Sequence, residues 1–302
     1  TVVFTLGAAE AGREDAAALI RRYTSAAQSA QALQAVRAFW SRFVDTERVE
    51  TPDEALNFMT NYWLKYQSIS CRLWGKSALY QVSAGYGFRD QLQDSQIFLV
   101  SEPEYARKQL LLHAAQQFVE GDVCHWWFSI RGGGPRTNCS DDLLWLPFIL
   151  DAYLQEPGDF GILDEQVPYL NGPAAPLYEH CQRAIERSFS RFSPRGIPLM
   201  GDHDWNDGLR AVGNLMRGES FWVAEFLYLI LGSFAPLARR RGDAAFARRC
   251  EVVRESLREA LNRHGWDGEW YQMATTDAGL VLGSKDNDEG KIFLMPNTWA
   301  VI

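Results

Sequence analysis

Helix-start signals recur along this chain, and the segments behind them carry apolar residues at three- and four-residue steps. Thr51-Pro-Asp-Glu54 reads as an N-cap, a proline at the first helical position and the acid that completes a capping box. Leu56, Met59, Trp63 and Tyr66 follow as one apolar stripe. Ser101-Glu-Pro-Glu104 and Ser140-Asp-Asp142 repeat the signal and introduce helices predicted over 105–119 and 143–154. Others are predicted at about 174–192, 220–241 and 243–264, and two polar, Ala-rich ones at 10–27 and 30–45. The run 221–237 is apolar but interrupted by Glu225, Gly232 and Pro236, so it reads as a helix buried on most sides and not as a membrane span. Strand signals are few, the clearest being the opening Thr1-Val-Val-Phe-Thr-Leu6. Many helices with polar, aromatic loops gathered between them favour a mainly α fold, an α/α toroid whose loops build the site at one end. A solenoid would show a clearer period, and a four-helix bundle would need fewer helices.

Composition narrows the function. The chain has 302 residues, 47% of them hydrophobic, enough for a sizeable core. Its net charge of −8 lacks the basic surplus of a binder of nucleic acid or anionic membranes, so neither partner is expected. Five cysteines are scattered without a C-x-x-C, and five histidines are dispersed too. Neither a disulfide framework nor a metal site is expected, and a cytoplasmic setting fits. The 11 Trp, 11 Tyr and 17 Phe suit either an aromatic core or a cleft where indole faces stack on sugar rings. Both ends fall in apolar runs, so the chain is expected to be an interior piece of a longer protein.

Three segments carry chemistry. In "GDHDWNDGLR", residues 201–210, three carboxylates repel one another unless something offsets them. A calcium loop fails at its sixth and twelfth places, held by Asp207 and Gly213. A capped helix start suits Asp202 or Asp204 but explains Trp205-Asn206-Asp207 less well. A glycosidase-type mechanism explains that triplet better: one carboxyl must stay protonated to protonate a departing oxygen. Asp207, beside an indole and other acids, has neighbours that raise a carboxyl's pKa. In "SAGYGFRDQLQD", residues 83–94, Arg89 and Asp90 open a helix, and Asp90 and Asp94 share its face. The pair either clamps sugar hydroxyls, or Asp90 caps the helix and Arg89 neutralises it. In residues 121–147, Trp126 and Trp127 precede Gly132-Gly-Gly134, with Arg131 and Arg136 alongside; this is either an anion cradle or a plain loop, and a P-loop Lys is absent.

Together "YGFRDQLQD", "RTNCSDDLLWLP", "GDHDWNDGLRAVG" and "EGKIFLMPNTWAVI" resemble, in order, glycoside hydrolase family 94, the inverting β-glycoside phosphorylases. The resemblance spans about 55–302. It implies an incomplete (α/α)6 barrel over 51–302, a helical linker over 10–50 and the end of a β-sandwich over 1–9. It implies Asp207 as general acid, with Arg89, Asp90, Trp205 and Asn206 binding the glucosyl unit. Inorganic phosphate would be co-substrate, with no cofactor or metal. The partner would be a β-glucosyl disaccharide or oligosaccharide, and a homodimer is a possible assembly. Ala84 stands where cellobiose-type members carry an arginine, which looks more like the branch acting on β-1,2-glucans or aldonic-acid disaccharides. No histidine precedes Trp299 as in chitobiose-type members, and the remaining phosphate ligands are expected beyond residue 302.

Two other readings compete. An inverting hydrolase would need a second carboxylate about 6.5–9.5 Å from the acid to activate water, and Asp90, Asp94 and Asp142 are the candidates. The third is a sugar-binding or synthase-associated domain, such as the phosphorylase-like module of a cyclic β-1,2-glucan synthase.

Overall fold

The computed structural model describes residues 2–9, 11–75, 85–128 and 132–302. It divides into two compact units, Thr1–Gln67 and Ser68–Ile302. The expected segments around Ala84 and Arg131 lie outside the described residues.

The first unit holds helices α1 (Arg13–Tyr23), α2 (Ala26–Asp45) and α3 (Glu54–Phe58). Helical turns continue from α3 through Met59–Trp63, with wider π-type turns, to Leu64–Tyr66. Residues 2–9 form no strand, because among the described residues none pairs with their backbone. The cap of α3 is Asp53, not Thr51: Asp53 Oδ1 accepts from the amides of Ala55 at 2.9 Å and Leu56 at 3.2 Å. Thr51 instead steadies the cap, its hydroxyl accepting from the Asp53 amide at 3.2 Å. The predicted stripe is not the buried face: Leu56, Met59, Trp63 and Tyr66 are 41–50% exposed, while Asn61 and Lys65 are buried. Those two are buried because they satisfy the turn after α2. Asn61 bonds both backbone groups of Val49 at 2.8 Å, and Lys65 Nζ donates to the carbonyls of Phe43, Thr46 and Glu47. Those bonds tie 54–66 to the preceding helices, so the first unit runs past the expected division at 50/51.

The second unit is mainly α, as the helix signals predicted. The segment Gln67–Trp74 lies almost wholly within it. Its helices are α4 (Phe88–Ser95), α5 (Pro103–Ala114), α6 (Trp145–Gln155), α7 (Leu177–Phe189), α8 (Phe221–Arg240), α9 (Ala244–Ala260) and α10 (Leu294–Trp299). Side chains cap two of the longest, Ser220 Oγ accepting from the Val223 amide at 3.1 Å and Asp243 from that of Phe246 at 3.0 Å. The expected starts at Ser101 and Ser140 carry no side-chain cap: α5 begins after Glu102, and a short turn at Asp142–Leu144 leads into α6. Short antiparallel ribbons tie the loops. Strand β1 (Gly85–Gly87) pairs with β2 (Trp126–Phe128) in the register Gly85↔Phe128. Strands β3 (Gln166–Pro168) and β4 (Ala174–Pro176) form a second pair, and β5 (Glu219–Ser220), β6 (Ala274–Thr275) and β7 (Val281–Leu282) a third sheet.

Helix α8 is long and apolar enough by length and composition to cross a membrane, yet 72% of its most apolar window is buried inside the protein. Phe221, Trp222, Phe226, Leu227, Leu231 and Phe234 fill the interior, against α9 and α10. Trp145, Phe148, Phe226 and Trp299 meet in one aromatic cluster, Trp145 and Phe226 with ring centres 4.7 Å apart. Much of the aromatic content thus goes into the core.

Candidate active site

Four stretches converge: the start of α4, His125 just before β2, the loop 138–142 before α6, and the loop 201–210. Two of them zip together through the backbone. The Asn138 amide donates to Asp202 Oδ2 at 2.8 Å, and the Ser140 amide to the His203 carbonyl at 3.0 Å. Gly201 permits this approach: its φ is +64°, and a Cβ there would lie 2.0 Å from the Asn138 carbonyl oxygen. At α4, Asp90 Oδ2 occupies the place a Cβ on Gly87 would take, 1.9 Å away.

Arg89 is the hub. It is 6% exposed, and its Nη1 donates to Asp141 Oδ1 at 3.1 Å and to the Asp204 carbonyl at 3.2 Å, with Asp142 Oδ1 3.9 Å away. Its Nη2 donates to Asp207 Oδ1. Burial alone would weaken its hold on the proton, but Asp141 and Asp142 outweigh that and raise its pKa. Asp141 is fully buried and also accepts from Trp145 Nε1 at 2.9 Å. Its own pKa is raised, burial prevailing over Arg89.

The motif 201–210 does not open a regular helix. Asp204 Oδ1 accepts from the Asn206 amide at 2.9 Å, and its Oδ2 from Ser220 Oγ at 2.7 Å. Only the short turn Asp207–Leu209 follows, with Asn206 as its cap, accepting from the Gly208 amide at 3.2 Å. Burial, then Asp141, pushes the Asp204 carboxyl up to about 7. Asp207 is different: its side chain is 58% exposed, with His203 Nδ1 3.3 Å from Oδ1. His125 meets the His203 ring edge-on at 5.2 Å, and its Nδ1 lies 2.7 Å from Asp142 Oδ2. Burial disfavours the His125 cation, but Asp142 prevails and raises its pKa. Cys139 Sγ lies 3.5 Å from His203 Nδ1.

Beside Asp207, Trp205 is 46% exposed and its Nε1 donates to Gln93 Oε1 at 3.4 Å. Gln93, Trp145, Trp205, Trp222, Met295 and Trp299 line a cavity of about 360 Å³. An exposed carboxyl held on one oxygen by Arg89, two residues from the cavity-lining Trp205, can exchange a proton with a bound, ring-shaped polyol.

Residues 39–302 match the family model described as "Glycosyl hydrolase 94 superfamily, catalytic domain". The chain belongs to this family. It is 40% identical to the cyclic beta-(1,2)-glucan synthase NdvB of Rhizobium meliloti (strain 1021), over 100% of this chain and 11% of that protein. It is 33% identical to the solabiose phosphorylase of Paenibacillus borealis, over 99% of this chain and 38% of that enzyme. The cellobionic acid phosphorylase of Neurospora crassa is 29% identical over 88% of this chain and 33% of that enzyme. The chain thus spans well under half of these relatives. Among solved structures, a rhamnosidase from Klebsiella oxytoca with rhamnose bound shares the fold, with a TM-score of 0.55 at 16% identity over 78% of this chain and 44% of that one.

Within this glycosyl hydrolase 94 chain, the structure brings Arg89, Asp207 and Asn206 together, with Trp205 on the adjoining cavity. Asp90 lies apart from the Arg89 network. It pairs with Arg72 Nη1 at 3.4 Å, and Asp94 pairs with Arg72 Nε at 3.2 Å, the shared helix face that the spacing predicted. Arg89 therefore does not neutralise Asp90. Arg136 serves structure, binding Asp122 beside Arg187 and Arg191. Sequence reading missed Asp141, His125 and Cys139. "CSDD" offered a signal: two adjacent acids cannot both cap one helix, so one was free to hold Arg89.

Proposed function

We propose that this chain is the catalytic module of an inverting β-glycoside phosphorylase. Inorganic phosphate attacks the anomeric carbon of a β-linked glucosyl unit, the bond to the leaving oxygen breaks, and Asp207 gives that oxygen its proton. The product is α-D-glucose 1-phosphate. Support comes above all from Asp207, an exposed carboxyl held by Arg89 and His203 two residues along the chain from Trp205, which lines the tryptophan-rich cavity, in a glycosyl hydrolase 94 chain. Trp205 and Asn206 bind the glucosyl ring, with Arg89 orienting Asp207. Phosphate is already an anionic nucleophile, so no protein base is needed. The carboxylates named for a hydrolase each have a partner on one oxygen, Asp142 in His125 and Asp90 and Asp94 in Arg72.

A second reading is favoured by the 40% identity to the cyclic glucan synthase over the whole chain. On it, the same chemistry acts on β-1,2-linked glucan within a larger synthase. Incubation with β-1,2-glucooligosaccharide and with cellobionic acid, each with and without inorganic phosphate, tests both. Glucose 1-phosphate appearing only with phosphate is expected, and preference for the β-1,2 substrate selects the second reading. Sugar release that does not depend on phosphate overturns the phosphorylase in favour of a hydrolase.

A further inference from the structure

We infer that His125, Cys139 and His203 form a site for a thiophilic divalent cation of the zinc type. One ring nitrogen of each histidine and the cysteine sulfur all lie within 4.8 Å of one another. Two of these atoms are already at coordination spacing. His203 Nδ1 and Cys139 Sγ are 3.5 Å apart, and two such ligands on one tetrahedral zinc ion would be about 3.6 Å apart, given its usual bond lengths. Behind His125 stands the support a metal-bound histidine needs: Asp142 Oδ2 lies 2.7 Å from Nδ1, leaving Nε2 for the ion.

A second observation is independent of that geometry. Asp142 Oδ1 is buried and, among the described residues, has no hydrogen-bond partner. Cys139, Asp141 and Asp142 make a second group whose ligand atoms fall within 4.8 Å, sharing the same sulfur. Arg89 Nη1, 3.9 Å away, is too far to bond that oxygen, and a cation beside it would supply the missing partner.

Binding is a proton exchange. The Cys139 thiol, which donates to Asp141 Oδ1 at 3.1 Å, releases its proton to solvent and binds as thiolate. Burial and the two aspartates otherwise hold that thiol protonated. His203 exchanges its contact with the Asp204 carbonyl, 2.8 Å from Nδ1, for the ion and carries its proton on Nε2. One proton leaves per ion, so uptake tightens as pH rises. An ion here also takes the nitrogen that faces Asp207 Oδ1 at 3.3 Å.

Cobalt(II) titration of the protein tests the site without any assay of cleavage. One equivalent is expected to give a sulfur-to-cobalt charge-transfer band with the intense visible bands of tetrahedral cobalt, both erased by zinc. Cys139→Ser should lose the charge-transfer band, and Asp142→Asn should weaken binding about 10–100-fold. X-ray absorption at the zinc edge of the wild-type protein needs no variant, and is expected to show one sulfur and at least two nitrogen scatterers. A zinc shell without sulfur, or no charge-transfer band with cobalt in large excess, overturns the site. Because the readouts are spectroscopic, failure of the phosphorylase reading would leave them untouched, and the reverse also holds.

Discussion

Arg89 and Asp90 adjoin in sequence but experience different physics. Arg89 is buried among Asp141, Asp142 and Asp207, so Arg89→Ala strands carboxylates in a dry pocket and should cost about 3–5 kcal/mol. Asp90 faces Arg72 with 38% of its side chain exposed, where an ion pair is worth about 0–1 kcal/mol, so Asp90→Ala should fold normally. Urea unfolding of the two variants checks this; equal stabilities would mean that the Arg89 network does not hold the site. Asp207→Asn keeps shape and exposure while removing the transferable proton. It should lower kcat by about 10²–10⁴ on an unactivated disaccharide with an unchanged melting temperature. Full activity in that variant would sink the assignment of the acid. At this scale the contiguous triplet Trp205-Asn206-Asp207 was legible, because motif and chemistry coincide along the chain. Asp141, His125 and Cys139 were not, since only folding brings residues 64 or more positions from Asp207 to its side.

Elements were legible where side chains cap them. Ser220 and Asp243 cap α8 and α9, at the starts expected for those helices, while Ser101 and Ser140 do not cap the helices their signals announced. Thr51 failed because Asp53 competes for the same amides with a charged acceptor, which the positive end of the helix favours. The ribbons β1–β2 and β5–β6–β7 escaped notice, since two or three residues are too few to show a period. Helix α8 carries a sharper consequence. Glu225 sits on its buried side with neither carboxylate oxygen bonded among the described residues, and burial raises its pKa from 4.5 to about 9. A carboxyl raised in this way keeps its proton in the fold where the unfolded chain has lost it. The stability is intact below the unfolded value and is lost as pH climbs through the window up to about 9, by at most about 1.4 kcal/mol per unit. Glu225→Gln does not ionise, so its stability should stay flatter between about pH 5 and 8 and gain on the wild type as pH rises. Parallel curves for the two proteins would show that Glu225 is not the group responsible.

At the scale of the molecule, the geometry bears on the stereochemical course. A retaining enzyme needs a second carboxyl about 5 Å from the acid, free to bond the anomeric carbon. Asp204 is nearest along the chain, yet it is fully buried and spends its oxygens on the Asn206 amide and Ser220 Oγ. Asp141 is equally buried beneath Arg89 and Trp145. Asp142 is turned toward His125, and Asp90 and Asp94 toward Arg72. On the phosphorylase reading proposed above, attack falls to phosphate in a single in-line displacement from the face opposite Asp207, and one displacement inverts once. A β-linked glucosyl substrate with phosphate should therefore give the α-anomer of glucose 1-phosphate. Proton NMR of the fresh product reads this directly from the anomeric coupling. A β-phosphate would require two displacements, and hence a carboxylate nucleophile that this network holds elsewhere.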